Sequence, residues 1–204
     1  MKKFLIPCSL VCSVLFCAAA SGEEESSKIR EFRSLIEKTG IHGGLLVHIP
    51  CGDGRVTSSL KIGPRWVVHG LDTEFSSVLK ARENLYKQGI IDGTVQSSRF
   101  DGRNLPFINN TVNLLIIERS FDLTREEILR VLVPGGIAYV KRGAQWEEIR
   151  KARPREMDDW THFLHGPDNN AVSKDMLVGP PFHLQWIGEI KHCRDHELAS
   201  SVHV

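Results

Sequence analysis

A short apolar run, Gly44 to Ile49, leads straight into Pro50-Cys51-Gly52-Asp53-Gly54, and Asp72 follows 18 residues after Gly54 at the end of a second apolar run, Trp66 to Leu71. This arrangement constrains the fold more than any other feature. Glycines 52 and 54 carry no Cβ, so the backbone there can turn tightly and approach a ligand closely. A helix starting directly afterwards would aim free amide N–H groups at the same space. Asp72, at the end of the next strand, can accept two hydrogen bonds from a ribose diol. A strand, a glycine loop and a carboxylate in this order hold a nucleotide-like ligand at the carboxyl edge of a parallel sheet. A dinucleotide fingerprint would want a third glycine three residues after Gly54, where Thr57 stands, so a nicotinamide or flavin is disfavoured.

The flanking pattern supplies helices and further strands. Ile29, Phe32, Leu35 and Ile36 share one face of a helix predicted over 28–38, stopped by Gly40. Glu23 to Ser27 reads as a flexible leader. A helix is expected from Arg55 to Leu60 and another from Glu74 to Gln88, capped by Thr73. Thr94 to Ser98 is a weak third strand. Val112 to Ile117 is continuously apolar, as expected of a strand buried on both faces. Thr124-Arg125-Glu126-Glu127 forms a capping box opening a helix through Val133. Pro134-Gly135-Gly136 breaks it, Ile137 to Val140 is a fifth strand, and Trp146 to Lys151 reads as a last helix. The expected class is α/β: a Rossmann-like three-layer sandwich with a mostly parallel sheet of about five strands, followed by an irregular C-terminal extension.

From about Lys28 to Arg142 these residues resemble the class I S-adenosylmethionine-dependent methyltransferases. His48 to Arg55 (HIPCGDGR) is similar to the family's first motif, and Gly70 to Glu74 (GLDTE) to its second. Phe100 to Glu118 resembles the stretch in which an acidic residue, here Asp101, contacts the adenine amine. Glu126 to Val140 resembles the helix, PGG turn and fifth strand. The resemblance implies S-adenosylmethionine as cofactor, held by His48, Cys51, Gly52, Asp53, Gly54, Asp72, Thr73, Asp101 and Gly102, and methyl transfer to an acceptor that the sequence does not specify. Glu118, at the end of the fourth strand, is a candidate to orient or deprotonate that acceptor, or simply to shape the pocket. His48 replaces an acidic residue of the family pattern, Pro50 a glycine and Asn113 an aspartate. The alternative to an enzyme is a catalytically inactive binding or scaffold module that keeps the fold.

The two ends of the chain add expectations. Lys2 and Lys3 precede an apolar run from Phe4 to Ala20 ending in small residues, the pattern of a cleaved secretory signal over 1–22. The run is short of the roughly 20 residues a membrane span needs, so no stable span is expected after cleavage, and the location would be secreted or periplasmic. Cleavage would remove Cys8, Cys12 and Cys17 and change the formal charge from +1 to −1. Without a basic excess, nucleic-acid binding has no support. Residues 23–150 form the expected methyltransferase-like domain and 151–204 a linker and the truncated start of a propeller-like domain. Asp158 to Gly188 resembles the lead-in of secreted bacterial proteins that continue into a quinoprotein-type (PQQ-like) β-propeller, here truncated, on which the domain could dock. His162 and His165 with Asp158 or Asp159 match no standard metal-ligand spacing, so no metal is assigned.

Overall fold

From Leu46 to Ile49 the first strand is buried on both faces, which places it inside a sheet covered by helices on either side. The structure, a computed structural model, describes residues 8–119 and 121–177. Its strands are β1 (Gly44–Ile49), β2 (Trp66–Asp72), β3 (Val95–Arg99), β4 (Val112–Ile117), β5 (Leu132–Arg142) and β6 (Gln145–Arg150). They form one sheet in the order β3-β2-β1-β4-β5-β6. All neighbours are parallel except β6, which runs antiparallel to β5. The helices are α1 (Cys8–Thr39), α2 (Arg55–Ser59), α3 (Phe75–Lys87) and α4 (Arg125–Val131). This is the mostly parallel Rossmann-like sandwich expected.

The two-residue period of the strands divides the core. Val47, Ile49, Leu115 and Ile117 point to the side where Ile128 and Val131 of α4 pack. Leu46, Leu114, Ile116, Ile137 and Tyr139 point to the other, against Phe32, Leu35 and Ile36 of α1 and Leu85 of α3. His48 belongs to the α1 face, because it follows Val47 and precedes Ile49. Asn113, at the position of a family aspartate, accepts the Leu45 N–H at 2.9 Å. It joins β4 to the start of β1.

Four expectations are corrected. Glu23 to Ser27 is not a flexible leader but part of α1. Trp146 to Lys151 is not a helix. Gln145 to Arg150 closes a hairpin with β5, with the Trp146 ring edge-on to Phe32 at 5.7 Å and its indole N–H donating to Glu31 at 2.7 Å. The Glu and Arg content reads as helical, but the adjacent β5 edge supplies unpaired backbone groups that a strand satisfies and a helix cannot. Pro134-Gly135-Gly136 lies within β5 rather than outside it. A Cβ on Gly136 would meet three carbonyl oxygens at 2.9–3.2 Å, so the irregular strand passes only because that residue is glycine. Thr73 does not cap α3, whose N-cap is Glu74.

The chain divides into two units, Met1–Ala152 and Arg153–Val204. In the described part of the second, Asp158 accepts from His165 Nε2 at 2.5 Å, the Lys174 N–H at 2.7 Å and the Ser173 hydroxyl at 3.3 Å. Of the stretch Asp158 to Gly188, expected to lead into a propeller, residues 178–188 lie outside the described residues.

Gly54 adopts φ +83°, and a Cβ there would sit 2.9 Å from the Ala81 backbone, whereas Gly52 at φ +54° has open space. Gly54→Ala should therefore cost about 3 kcal/mol, combining left-handed strain with overpacking, and Gly52→Ala only about 1 kcal/mol. Urea unfolding of the two variants measures the difference.

Candidate functional site

The strand order reverses between β1 and β4, so a crevice opens outside their carboxyl ends. The Cys51–Gly54 loop follows β1, Asp72 ends β2, and Glu118 and Arg119 follow β4. All of them meet at that edge. The Cys51 N–H donates to Leu71 O at 2.8 Å and the Gly54 N–H to Cys51 O at 2.9 Å, folding the loop back on β2. Asp72 brackets the turn: Oδ2 accepts the Gly52 N–H and Oδ1 the Glu74 N–H, both at 3.1 Å. Asp72 is buried, and the exposed Arg119 guanidinium lies 3.9 Å from Oδ1. That guanidinium also sits over the Phe121 ring at 4.9 Å. Nothing within 4 Å would meet a Cβ on Gly52. The backbone there faces free space beside the carboxylate, as a ligand cradle requires.

The α2 helix after the loop has only five residues. It is too short to align the row of peptide dipoles expected from the sequence. Hydrogen-bonding capacity at the cradle comes instead from the loop backbone and Asp72. Cys51 is buried, and burial followed by the Asp72 charge pushes its thiol up to about 12. It is neutral at physiological pH and serves as packing, close against Gly70, where any Cβ would lie 2.5 Å from Cys51 Cβ. Asp53 is turned outward beside Arg55 at 3.3 Å, and its carbonyl accepts from Asn84 at 2.9 Å.

His48 is buried at the end of β1 with both ring nitrogens engaged. Nδ1 pairs with Thr57 Oγ1 and Nε2 with Glu118 Oε1, each at 2.8 Å. The second Glu118 oxygen meets Lys28 Nζ of α1 at 3.1 Å. Burial tends to raise the Glu118 carboxyl, but the hydrogen bond and charge of His48, then those of Lys28, outweigh it and hold the group below the usual range. The position of Glu118 was legible from the end of β4; its link to His48 and Lys28 was not.

Asp101 lies at the same edge, after β3, and shapes its own turn. Oδ1 accepts the Arg103 and Asn104 N–H groups at 2.8 and 2.6 Å, and Oδ2 the Asn104 amide at 2.7 Å. These bonds, led by those from Asn104, hold its carboxyl at about 2. Gly102 adopts φ +85°, with its Cβ position 3.4 Å from the Thr73 methyl. Thr73 itself contributes its carbonyl to Arg99 at 3.0 Å.

Sequence reasoning missed what holds the neighbouring Leu105–Phe107 segment. The Thr124 hydroxyl accepts the Glu127 N–H at 3.1 Å, half of the expected capping box. The Glu127 carboxylate does not return to Thr124 but accepts the Leu105 N–H at 2.6 Å. Arg130 pairs with Glu127 at 2.7 Å and donates to the carbonyls of Phe107 and Leu105 at 2.8 and 3.0 Å. The only signal in the sequence was the i, i+3 spacing of Glu127 and Arg130. Surface cavities of about 360, 380 and 490 Å³ lie away from the glycine loop, the first beside Tyr86 and Ile91, the second beside His42 and Pro64, the third beside Arg103 and Asp122.

Residues 47–140 match the family model of a methyltransferase domain. The match opens on β1, closes on β5 and contains every cradle residue named above. Among solved structures, the chain is similar to a proposed S-adenosyl-L-methionine-dependent methyltransferase of Methanococcus maripaludis, at 21% identity and TM-score 0.48 over 69% of this chain and 66% of that one. It is also similar to a SAM-dependent methyltransferase of Aquifex aeolicus, at 19% identity and TM-score 0.46 over 58% of this chain and 76% of that one. A third likeness is to a geranyl diphosphate methyltransferase solved with SAM, at 21% identity and TM-score 0.48 over 55% and 48%. The chain thus spans between about half and three quarters of these proteins. No curated protein matches it.

Two measurements follow from the environments of Cys51 and Asp101. With its thiol near 12, Cys51 should resist iodoacetamide at pH 7.5 in the folded chain and react once urea unfolds it, as peptide mapping by mass spectrometry will show. Asp101 has a folded value below its unfolded one, so its contribution to stability is present above about pH 4. That contribution fades as pH falls toward about 2. NMR titration of its carboxyl carbon should show a midpoint near 2, and Asp101→Asn should flatten the acid limb of the unfolding curve.

Proposed function

We propose that the domain binds S-adenosylmethionine at the carboxyl edge of β2, β1 and β4 and transfers its methyl group to an acceptor. The observation that carries this reading is the Asp72 bracket beside the open Gly52 backbone, inside the region matching the methyltransferase family. When bound, the cofactor supplies an already activated sulfonium methyl. The protein's part is then alignment and exclusion of water rather than activation by a strong base. Asp72 accepts the ribose hydroxyls on lone pairs left by its two backbone donors, and Gly52 lets the ligand approach the main chain. Asp101 orders the turn on the adenine side, and the Glu127–Arg130 pair fixes the segment that closes it. A second reading, a module that binds without turnover, is favoured by the burial of Asp72 beneath Arg119, which any diol must displace.

Calorimetry of the full chain with S-adenosylmethionine and S-adenosylhomocysteine tests this. Micromolar binding weakened at least tenfold by Asp72→Ala is expected, since an ionic hydrogen-bond acceptor is worth about 1.5–3 kcal/mol. Absence of binding at millimolar ligand would sink the reading. Turnover against candidate acceptors separates the enzyme from the binding module.

We also propose that residues 1–22 are a secretory signal and that the chain is the opening of a longer propeller-containing protein. The first rests on the basic start, apolar run and small residues at the cut; the second on the resemblance of Asp158 to Gly188. Among the described residues no helix is long and apolar enough to cross a membrane. N-terminal sequencing of protein recovered from the periplasm or medium should begin near Glu23; a cytosolic protein starting at Met1 would refute the signal.

A further inference from the structure

A surface helix normally turns polar side chains to solvent, but α3 does so on only part of its circumference. Val78, Ala81 and Leu85 are buried. Phe75, Leu79, Arg82 and Tyr86 follow one another at intervals of four, three and four residues, so they form one stripe on the flank of that buried face. Phe75 is 55% exposed, Leu79 49% and Tyr86 75%, and Ile91, just past the helix, is 77% exposed. Single exposed apolar residues are ordinary, whereas a continuous stripe marks a contact surface. Taking about 200 Å² for a side chain of this kind, these four leave on the order of 500 Å² of apolar surface on each copy of the chain.

The stripe carries both halves of a fit. Phe75 is a knob at the start of α3. Around its far end lies a cavity of about 360 Å³ whose walls include Leu85, Tyr86, Ile90, Ile91 and Val95. A cavity of about 150 Å³ already holds a benzene ring. Knob and cavity lie at opposite ends of one helix, so a single molecule cannot join them, while a second copy lying antiparallel joins them twice. With the two-fold axis between Arg82 and Glu83, Phe75 of each copy faces Ile90 of the other, Leu79 faces Tyr86, and Arg82 faces Glu83. The charges agree with that register. Arg82 donates from Nε to Ser97 O at 3.0 Å, which leaves the outer guanidinium nitrogens for a carboxylate. Glu83 gives Oε1 to Lys87 Nζ at 2.7 Å, which leaves Oε2 for a cation. The Arg82 bond also occupies a carbonyl of β3, the outermost strand, so the helix rather than the strand edge is the part of this side open to a partner.

We infer that α3 is the interface of a two-fold dimer of this chain, in which each copy seats Phe75 in the cavity beside Ile90 and Ile91 of the other and two Arg82–Glu83 pairs flank the seam. The two stripes together bury about 1,000 Å², the lower limit of a specific interface, so the dimer is reversible and forms in the micromolar range. Phe75 stands three residues after Asp72, whose Oδ1 accepts the Glu74 N–H at 3.1 Å. The contact therefore begins beside the edge that carries the glycine loop.

Sedimentation equilibrium of the full chain over about 1–500 μM tests this, and the wild type should pass from monomer to dimer within that range. Circular dichroism melts confirm that each variant folds. Phe75→Asp, at an exposed position, should weaken the dimer about 30-fold or more, as loss of a central anchor does. Arg82→Glu alone and Glu83→Arg alone set like charges against each other across the axis, and each should weaken it about tenfold. Mixed one to one, these two variants recover both opposite-charge pairs, and the mixture should dimerise within about threefold of wild type. A wild-type chain that stays monomeric at about 500 μM overturns the inference. A dimer that Phe75→Asp leaves within about twofold also overturns it, as does a mixture of the charge variants no tighter than its separate components.

Discussion

A histidine in a strand buried on both faces must have both nitrogens satisfied by protein, since water cannot reach them. His48 meets that demand with Thr57 of α2 and with Glu118 after β4, and its ring lies edge-on to Phe32 of α1 at 5.5 Å. One side chain therefore sets the relative placement of three elements around β1. The glycine loop begins two residues later and inherits that placement. Replacing the ring by an apolar group would leave Glu118 and Thr57 without their partner, and the carboxylate would then be free to turn toward solvent.

Much of the architecture was legible because burial leaves a strong mark on sequence. The short, largely apolar runs of β1, β2 and β4 read as strands, with Leu114 to Ile117 buried on both faces, and Thr57 in place of a third glycine separated the loop from dinucleotide sites. What was not legible depends on partners far along the chain. The run Gln145 to Arg150 has the composition of a helix, and only the free edge of β5 makes it a strand. The capping box at Thr124 was read from spacing alone, yet the Glu127 carboxylate chose Leu105 N–H and Arg130 over the cap. The polar chain from Thr57 through His48 and Glu118 to Lys28 joins four separate segments, and single-segment patterns carry no trace of such a network.

Asp72 orders the glycine loop from the end of the neighbouring strand. Asp72 spends one lone pair of each oxygen on the backbone N–H groups of Gly52 and Glu74, and Arg119 lies 3.9 Å from Oδ1. The same bonds that hold the loop shape also fix the orientation of the carboxylate that the proposed cofactor site uses. Asp101, by contrast, has both oxygens committed to its own turn, so its part is to order the backbone that follows β3.

The contact between Trp146 and α1 has a temporal consequence. Glu31 and Trp146 are 115 positions apart in the chain, so the first helix cannot complete its packing until almost the whole domain has been synthesised. On a ribosome, α1 emerges first and waits through the making of five strands with Phe32 uncovered on its Trp146 side. Pairings between distant segments slow folding and prolong the exposure of apolar surface. The last hairpin therefore acts as a latch on completion: a nascent chain stopped before residue 145 presents an unclaimed helix face, the kind of surface that chaperones and quality-control proteases recognise.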